Sequence, residues 1–225
     1  MSDAAVGAAV AGVVCLLASP YLARLTLSVP DREDVHWWRG RPTGWQRLAL
    51  TALVAVVLGV LGGKVAGSSA LLPAFIALAL TCTPLVLIDF EHHRLPNRLV
   101  FAAAGSELVL LTLAAIVRAD WHSLLRAVEG AAAVYAVLFL LAFMSPRSFG
   151  FGDVKLGGML GGYLGWFAWL DVYYGIFAGF VLGMLVAIVL LSTRRASMKT
   201  AMAFGPMLIL GALLVLAFDI TPTLR

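Results

Sequence analysis

Two polar clusters, each at one end of an apolar segment, hold the residues with the clearest catalytic chemistry. Residues 88–97 contain Asp89, and residues 149–155 contain Asp153. When two carboxylates share a site, repulsion between like charges raises the pKa of one of them, so one is ionised and one is protonated. The ionised group can take a proton from water while the protonated group polarises a carbonyl. The pair predicts peptide-bond hydrolysis that needs neither a metal nor a cofactor.

The residues around Asp153 suit this chemistry. Gly150 and Gly152 precede it, and glycine adopts backbone conformations that other residues resist, so we expect an extended substrate to approach closely there. Lys155 follows two residues after Asp153 and is expected to bias its charge state or to hold a substrate carbonyl. These four residues form the second half of the predicted site.

The first cluster ends in residues that predict the start of a helix. Pro96 is expected near the first turn and Asn97 as its cap. The adjacent pair His92 and His93 is not expected to bind a metal, because neighbouring side chains point apart and no HExxH pattern is present.

Composition determines which elements must position the two clusters. Hydrophobic residues make up 62% of the chain and charged residues 12%, whereas soluble domains have about half and about a quarter. The sequence therefore predicts an all-α, polytopic membrane bundle of about eight transmembrane helices, forming a single domain over residues 1–225. The expected spans lie near residues 5–27, 47–63, 70–89, 98–117, 124–144, 154–170, 172–191 and 201–219.

The distribution of basic residues predicts the orientation of these spans. Alternate connecting segments hold twelve and four of the sixteen Lys and Arg residues, and the richer side is expected to be cytoplasmic. Both termini are then outside, and Asp89 and Asp153 lie at the cytoplasmic edge. The richer set comprises Arg24, Arg32, Arg39, Arg41, Arg47, Arg94, Arg98, Arg147, Lys155, Arg194, Arg195 and Lys199.

Residues 30–47 predict a short cytoplasmic loop that lies along the lipid headgroups. The segment combines tryptophans, including Trp37 and Trp45, with several arginines, and such side chains anchor a chain at the interface. We expect no nucleic-acid partner, because so short a segment beside a bilayer offers no fold to present a basic surface.

The motifs resemble those of the prepilin leader peptidases, membrane-embedded aspartyl proteases of the GxGD type. Asp89 with Leu95-Pro96-Asn97 is similar to the first aspartate motif of that family, and residues 150–155 match its second motif, GxGDxK. Phe204-Gly205-Pro206 resembles the stretch that opens its last helix. The three places occur in the family's order and extend over roughly residues 70–225.

The resemblance implies an activity. Asp89 and Asp153 would remove the basic leader from type IV prepilins or pseudopilins at the cytoplasmic face of the bacterial inner membrane. Members that also methylate the new N-terminus carry paired CxxC motifs after the first helix. Residues 30–47 contain no cysteine, so the chain is more similar to the short, peptidase-only members.

The sequence leaves open the roles of two carboxylates and one alternative function. Glu91 is either a plain interfacial carboxylate or a group that attracts the basic leader, and Glu107, midway along a span, is expected to be neutral and hydrogen-bonded inside the bundle. A transporter coupled to protons or cations could also use Asp89, Glu107 and Asp153. Against it, both aspartates are predicted at one membrane edge, whereas a relay would be distributed across the depth.

Overall fold

Eight helices form almost all of the chain that is described by the computed structural model, which covers residues 2–29, 43–144, 150–193 and 203–219. No strand occurs in these ranges. The all-α prediction is confirmed, and a helix is present at each predicted span. The helices are α1 (Asp3–Ser28), α2 (Trp45–Ala66), α3 (Leu72–His92), α4 (Asn97–Arg118), α5 (Trp121–Met144), α6 (Phe151–Phe167), α7 (Trp169–Ser192) and α8 (Gly205–Ala217).

Six of these helices, α1 to α5 and α7, have the length and apolar composition to cross a membrane. The other two are shorter, with 17 residues in α6 and 13 in α8. A bilayer offers no hydrogen-bond partner to an exposed backbone, so a chain that repeatedly enters it must form helices. The chain is a multi-pass membrane protein.

The interfacial loop predicted over residues 30–47 is only partly within the described ranges, since residues 30–42 lie outside them. Its last three residues, from Trp45 to Arg47, were wrongly assigned to a loop, because α2 begins at Trp45 after Gly44 takes the N-cap position. Helical hydrogen bonding extends beyond the apolar core because backbone groups near the bilayer also need partners.

The helices belong to two compact units. One unit comprises Met1–His92 and Pro96–Trp121 and holds α1 to α4, whereas the other comprises His93–Leu95 and His122–Arg225 and holds α5 to α8. The prediction of a single membrane-embedded domain stays a prediction.

Small residues bring α1 and α2 together in the first unit. A methyl group added at Gly59 would lie 2.9 Å from the carbonyl oxygen of Ala11 and 2.8 Å from the sulfur of Cys15. Small side chains allow this close approach of backbones, which replaces the hydrophobic effect as the main source of helix association in lipid. Helix α3 is the most enclosed span: 67% of its apolar window is buried, against 17–33% in the other five.

Helix α6 is buried along most of its length in the second unit. Every residue from Leu156 to Trp166 is buried. Its glycines meet α5, because a methyl group at Gly161 would lie 2.7 Å from the carbonyl oxygen of Gly130, and one at Gly165 would lie 2.7 Å from that of Arg126. The glycine content that makes α6 a weak helix by composition is therefore what allows it to pack.

Arg126 fixes the C-terminal end of α6. From α5, its Nε donates a hydrogen bond to the carbonyl oxygen of Gly165 at 2.7 Å, and its Nη2 donates to that of Trp166 at 2.5 Å. These carbonyls belong to the last turn, whose acceptors have no partner within the helix. The sequence indicated only a basic residue near one membrane edge, so this capping role was not predicted.

The end of α4 permits a prediction on stability. Ala119 has a left-handed conformation with φ of 52°, and the amide of Asp120 donates to the carbonyl oxygen of Ala115 at 3.0 Å, which is the Schellman arrangement usually completed by glycine. An L side chain in this region costs about 1–2 kcal/mol. We expect Ala119→Gly to raise the free energy of unfolding by up to about 1 kcal/mol, measured by denaturation of the purified protein in detergent.

A change from alanine to glycine inside α4 should have the opposite effect on the free energy of unfolding. Ala102 is exposed in the helix interior, and glycine there should lower the free energy of unfolding by about 1 kcal/mol. A destabilised Ala119→Gly variant would contradict the prediction, because Ala119 is itself exposed and loses little packing.

Candidate active site

Asp89 lies in the last turn of α3, at the point where the helix passes from buried to exposed residues. Its side chain is buried with 4% exposure, whereas the next residue, Phe90, is 52% exposed. The helix continues through His92, and His93 then takes a left-handed conformation with φ of 49°. The first half of the cluster is therefore helical, and its aspartate is held by an enclosed helix.

Arg47 of α2 and Glu91 of α3 form an ion pair at the turn of α3 that carries Asp89. The Nη1 of Arg47 donates to Oε1 of Glu91 at 2.5 Å, and its Nε donates to Oγ1 of Thr26 on α1 at 2.9 Å. Glu91 is therefore part of a structural contact within the first unit. Its attraction of a basic leader stays a prediction, and the role of Arg47 was missed because the sequence gives no pairing between distant interfacial charges.

Pro96, rather than Asn97, takes the N-cap position of α4, with φ of −64° and ψ of 123°. Asn97 is the first helical residue, so the prediction that it caps the helix is wrong by one position. The physical reason is that a cap needs an extended backbone, which Pro96 already has.

Asp153 lies in the first turn of α6, after Gly150 at the N-cap. It is half-buried, and its amide donates to the carbonyl oxygen of Gly150 at 3.1 Å. The N-terminal end of a helix stabilises a negative charge because the unpaired amides carry partial positive charge. Lys155 lies one turn from the helix start, with its Nζ 5.8 Å from the ring centroid of Phe151.

The two glycines of this motif have ordinary backbone conformations. Gly150 has φ of −77° and ψ of 139°, and Gly152 is within α6, so the expectation of unusual backbone conformations there is wrong. Their value is the space that a missing side chain leaves. A methyl group at Gly150 would lie 3.2 Å from Oδ2 of Asp153, and one at Gly152 would lie 2.8 Å from Cβ of Leu95. Leu95 of the first motif therefore contacts Gly152 of the second motif, and both residues belong to the second unit.

This contact predicts the effect of adding one methyl group. We expect Gly152→Ala to lower the peptide-bond hydrolysis predicted for the two motifs at least tenfold, because the methyl group meets Cβ of Leu95, which is fixed to the backbone and cannot rotate away. The measurement is the hydrolysis rate at equal membrane abundance. Gly105→Ala is the control, because a methyl group there has nothing within 4 Å; equal rates for the two variants would contradict the prediction.

Glu107 is buried in α4 with 7% exposure. It is close enough to Cys82 on α3 for the two groups to interact electrostatically. Cys82 precedes Asp89 by seven residues, which places both on one side of α3. The predicted location of Glu107 inside the bundle is confirmed, whereas its neutral, hydrogen-bonded state stays a prediction. In the part of the chain that is described, no group of three or more His, Cys, Asp or Glu residues could hold a metal ion.

The fold and these positions define a polytopic helical membrane protein in which each motif aspartate lies at the end of a helix. The profile of the type IV leader peptidase family matches residues 74–218, more than half of the chain. The chain therefore belongs to this family and to the class of membrane prepilin peptidases. The match contains both aspartate motifs, whereas α1 and α2 precede it. Comparisons with curated proteins and with solved structures gave no match.

Proposed function

We propose that the chain is an aspartic endopeptidase that removes the basic leader from type IV prepilins or pseudopilins, with Asp89 and Asp153 as its catalytic pair. The observation that carries the proposal is that both aspartates lie within the family-matched residues and each lies in the terminal turn of a helix. Terminal turns allow a buried or half-buried carboxylate to reach a substrate at the membrane edge.

The two carboxylates divide the chemistry. The N-terminal end of α6 stabilises negative charge on Asp153, which suits the group that takes a proton from the attacking water. Asp89 then carries the shared proton and donates it to the oxygen of the scissile carbonyl. The new C–O bond gives a tetrahedral intermediate. When its C–N bond breaks, the proton held by Asp153 passes to the leaving amine, and Asp89 takes a proton back from one hydroxyl of the intermediate as the new carboxyl group forms.

The proposed membrane location of the reaction rests on the distribution of basic residues and on the family. The distribution of Lys and Arg favours the cytoplasmic edge of a bacterial inner membrane, with both termini outside. The surrounding bilayer and the leader-bearing substrate are the partners in this proposal, which includes no cofactor, no metal and no nucleic acid. Gly150, Gly152, Lys155, Glu91, Pro96 and Asn97 are its supporting residues.

The transporter hypothesis is not favoured. Membership of a peptidase family accounts for both aspartate motifs, whereas a transport relay leaves the GxGDxK pattern and the Leu-Pro-Asn sequence without a role.

The test is coexpression with a prepilin that has a basic leader and a glycine at its cleavage site. Loss of the leader is measured by gel shift, and the new N-terminus is identified by mass spectrometry, which also reports any methyl group. Leader loss in the presence of the chain, and none without it, supports the proposal. An uncleaved substrate at normal abundance of both proteins contradicts it for that substrate class.

A further inference from the structure

The contact between Arg47, Glu91 and Thr26 joins three helices at the turn that carries Asp89. Thr26 lies in the last turns of α1, Arg47 in the first turn of α2 and Glu91 in the last turn of α3. Glu91 follows Asp89 by two residues, so an anchor on one constrains the backbone of the other. We propose that Arg47 is a positioning residue for Asp89. This inference rests on the proposed function.

The geometry makes Arg47 more than a surface charge. Its side chain is 18% exposed, and its Nη2 is buried and makes no hydrogen bond with the described residues. Thr26 is fully buried, and its hydroxyl donates to the carbonyl oxygen of Ala23 at 2.7 Å. That bond fixes the hydroxyl oxygen that accepts from Nε of Arg47. The guanidinium is thus oriented from one side by α1 and binds α3 from the other.

Arginine suits this position for a chemical reason. Its planar head presents Nε and Nη1 in a fixed relation, so one group can bind two partners in different directions. An ammonium group is a point charge on a flexible stem and can replace only one of these contacts well. Glu91 retains Oε2 for other contacts, and Nε2 of His92 lies 4.0 Å from it.

Two of the three residues of this contact lie outside the family-matched part of the chain. The family match begins at residue 74, so Thr26 and Arg47 precede it, whereas Asp89 and Glu91 lie within it. Helices α1 and α2 therefore have a role in the reaction: they supply the fixed point against which the last turn of α3 is held.

The experiment measures steady-state cleavage of a prepilin substrate with a basic leader by the purified full-length chain in detergent. Arg47→Met should lower kcat by about 100-fold, the loss typical of a catalytic group displaced by about 1 Å, while KM changes by less than about threefold. Arg47→Lys should restore kcat to within about tenfold of the parent. Thr26→Val should lower kcat severalfold, because it removes one of the two contacts.

Two controls separate positioning from other effects. Arg24→Met removes the same charge from the end of α1 that carries Thr26, at a partly exposed side chain with no hydrogen bond or ion pair to the described residues; kcat should stay within about twofold. Hydrogen exchange at residues 86–92 should become faster in Arg47→Met and not in Arg24→Met. Because Glu91→Gln breaks the same contact, combining it with Arg47→Met should lower kcat little further.

The outcomes distinguish the two proposals. If Thr26→Val and Glu91→Gln both have parental kcat and exchange rates, positioning is overturned even where Arg47→Met fails to fold. If Glu91→Gln raises KM in a salt-dependent way at unchanged kcat, Glu91 binds the leader and positioning is overturned. If Asp89→Asn retains cleavage, the proposed function fails, whatever the Arg47 variants show.

Discussion

Exchange of either Asp89 or Asp153 for asparagine is expected to lower leader cleavage by roughly 10²- to 10⁴-fold, the contribution of a positioned acid or base. Asparagine keeps the shape of the side chain but can neither take nor release a proton. Both single variants should be equally inactive, because the two groups act as one unit and losing either removes the shared proton. The measurement is leader loss on coexpression, at membrane abundance equal to that of the parent.

Matched variants show whether the loss is catalytic. Asp3→Asn makes the same change at an exposed aspartate in the first turn of α1, and cleavage should be unchanged. Asp153→Glu keeps the carboxylate but displaces it by one methylene, so partial activity is expected. Persistent cleavage in Asp89→Asn or Asp153→Asn would remove that residue from the catalytic pair.

The helices were predictable because the lipid bilayer favours helical structure in every apolar segment that crosses it. Within the hydrocarbon, each backbone amide needs a partner on its own segment, so an apolar run of sufficient length forms a helix regardless of local propensity. Their ends were less predictable. α2 begins at Trp45 rather than near residue 47, and α3 continues to His92 rather than ending near residue 89. Hydropathy marks the edge of the apolar core, and helical hydrogen bonding continues beyond it.

The glycines show where a local interpretation failed. From sequence, Gly150 and Gly152 indicated unusual backbone conformations, but their positions at the N-cap and first turn of α6 need only ordinary ones. What they provide is the absence of a side chain beside Asp153 and Leu95. A glycine has two distinct uses, and only the neighbours that the fold supplies show which applies.

The positions of the motif aspartates at helix ends could be predicted, whereas the ion pair beside Asp89 could not. Asp89 and Asp153 stand out because a carboxylate at the end of an apolar run is rare. Arg47 and Glu91 are separated by 44 residues, and each is an ordinary interfacial charge in sequence. Pairing of this kind depends on which helices are neighbours, which hydropathy does not encode.

Gly161→Ala is expected to lower the free energy of unfolding of the second unit by about 1–3 kcal/mol, the usual cost of overpacking. The added methyl group would lie 2.7 Å from the carbonyl oxygen of Gly130 and 2.8 Å from Cγ2 of Val134. The oxygen is part of a helix backbone and cannot move alone, so α5 and α6 must separate. Asp153 is on the same helix, about 12 Å along its axis, and cleavage should fall as well.

A control variant and a reciprocal variant test this prediction. Gly105→Ala adds a methyl group with nothing within 4 Å and should leave stability unchanged or raise it by up to about 1 kcal/mol, since alanine is the better helix former. Gly130→Ala places its methyl group 2.6 Å from the carbonyl oxygen of Gly161, so it strains the same contact from the other side and should cost a similar amount. If Gly161→Ala unfolds in detergent at the same point as Gly105→Ala, close packing of α5 on α6 does not stabilise the unit. The position of Asp153 would then depend on the cap that Arg126 provides at the far end of α6.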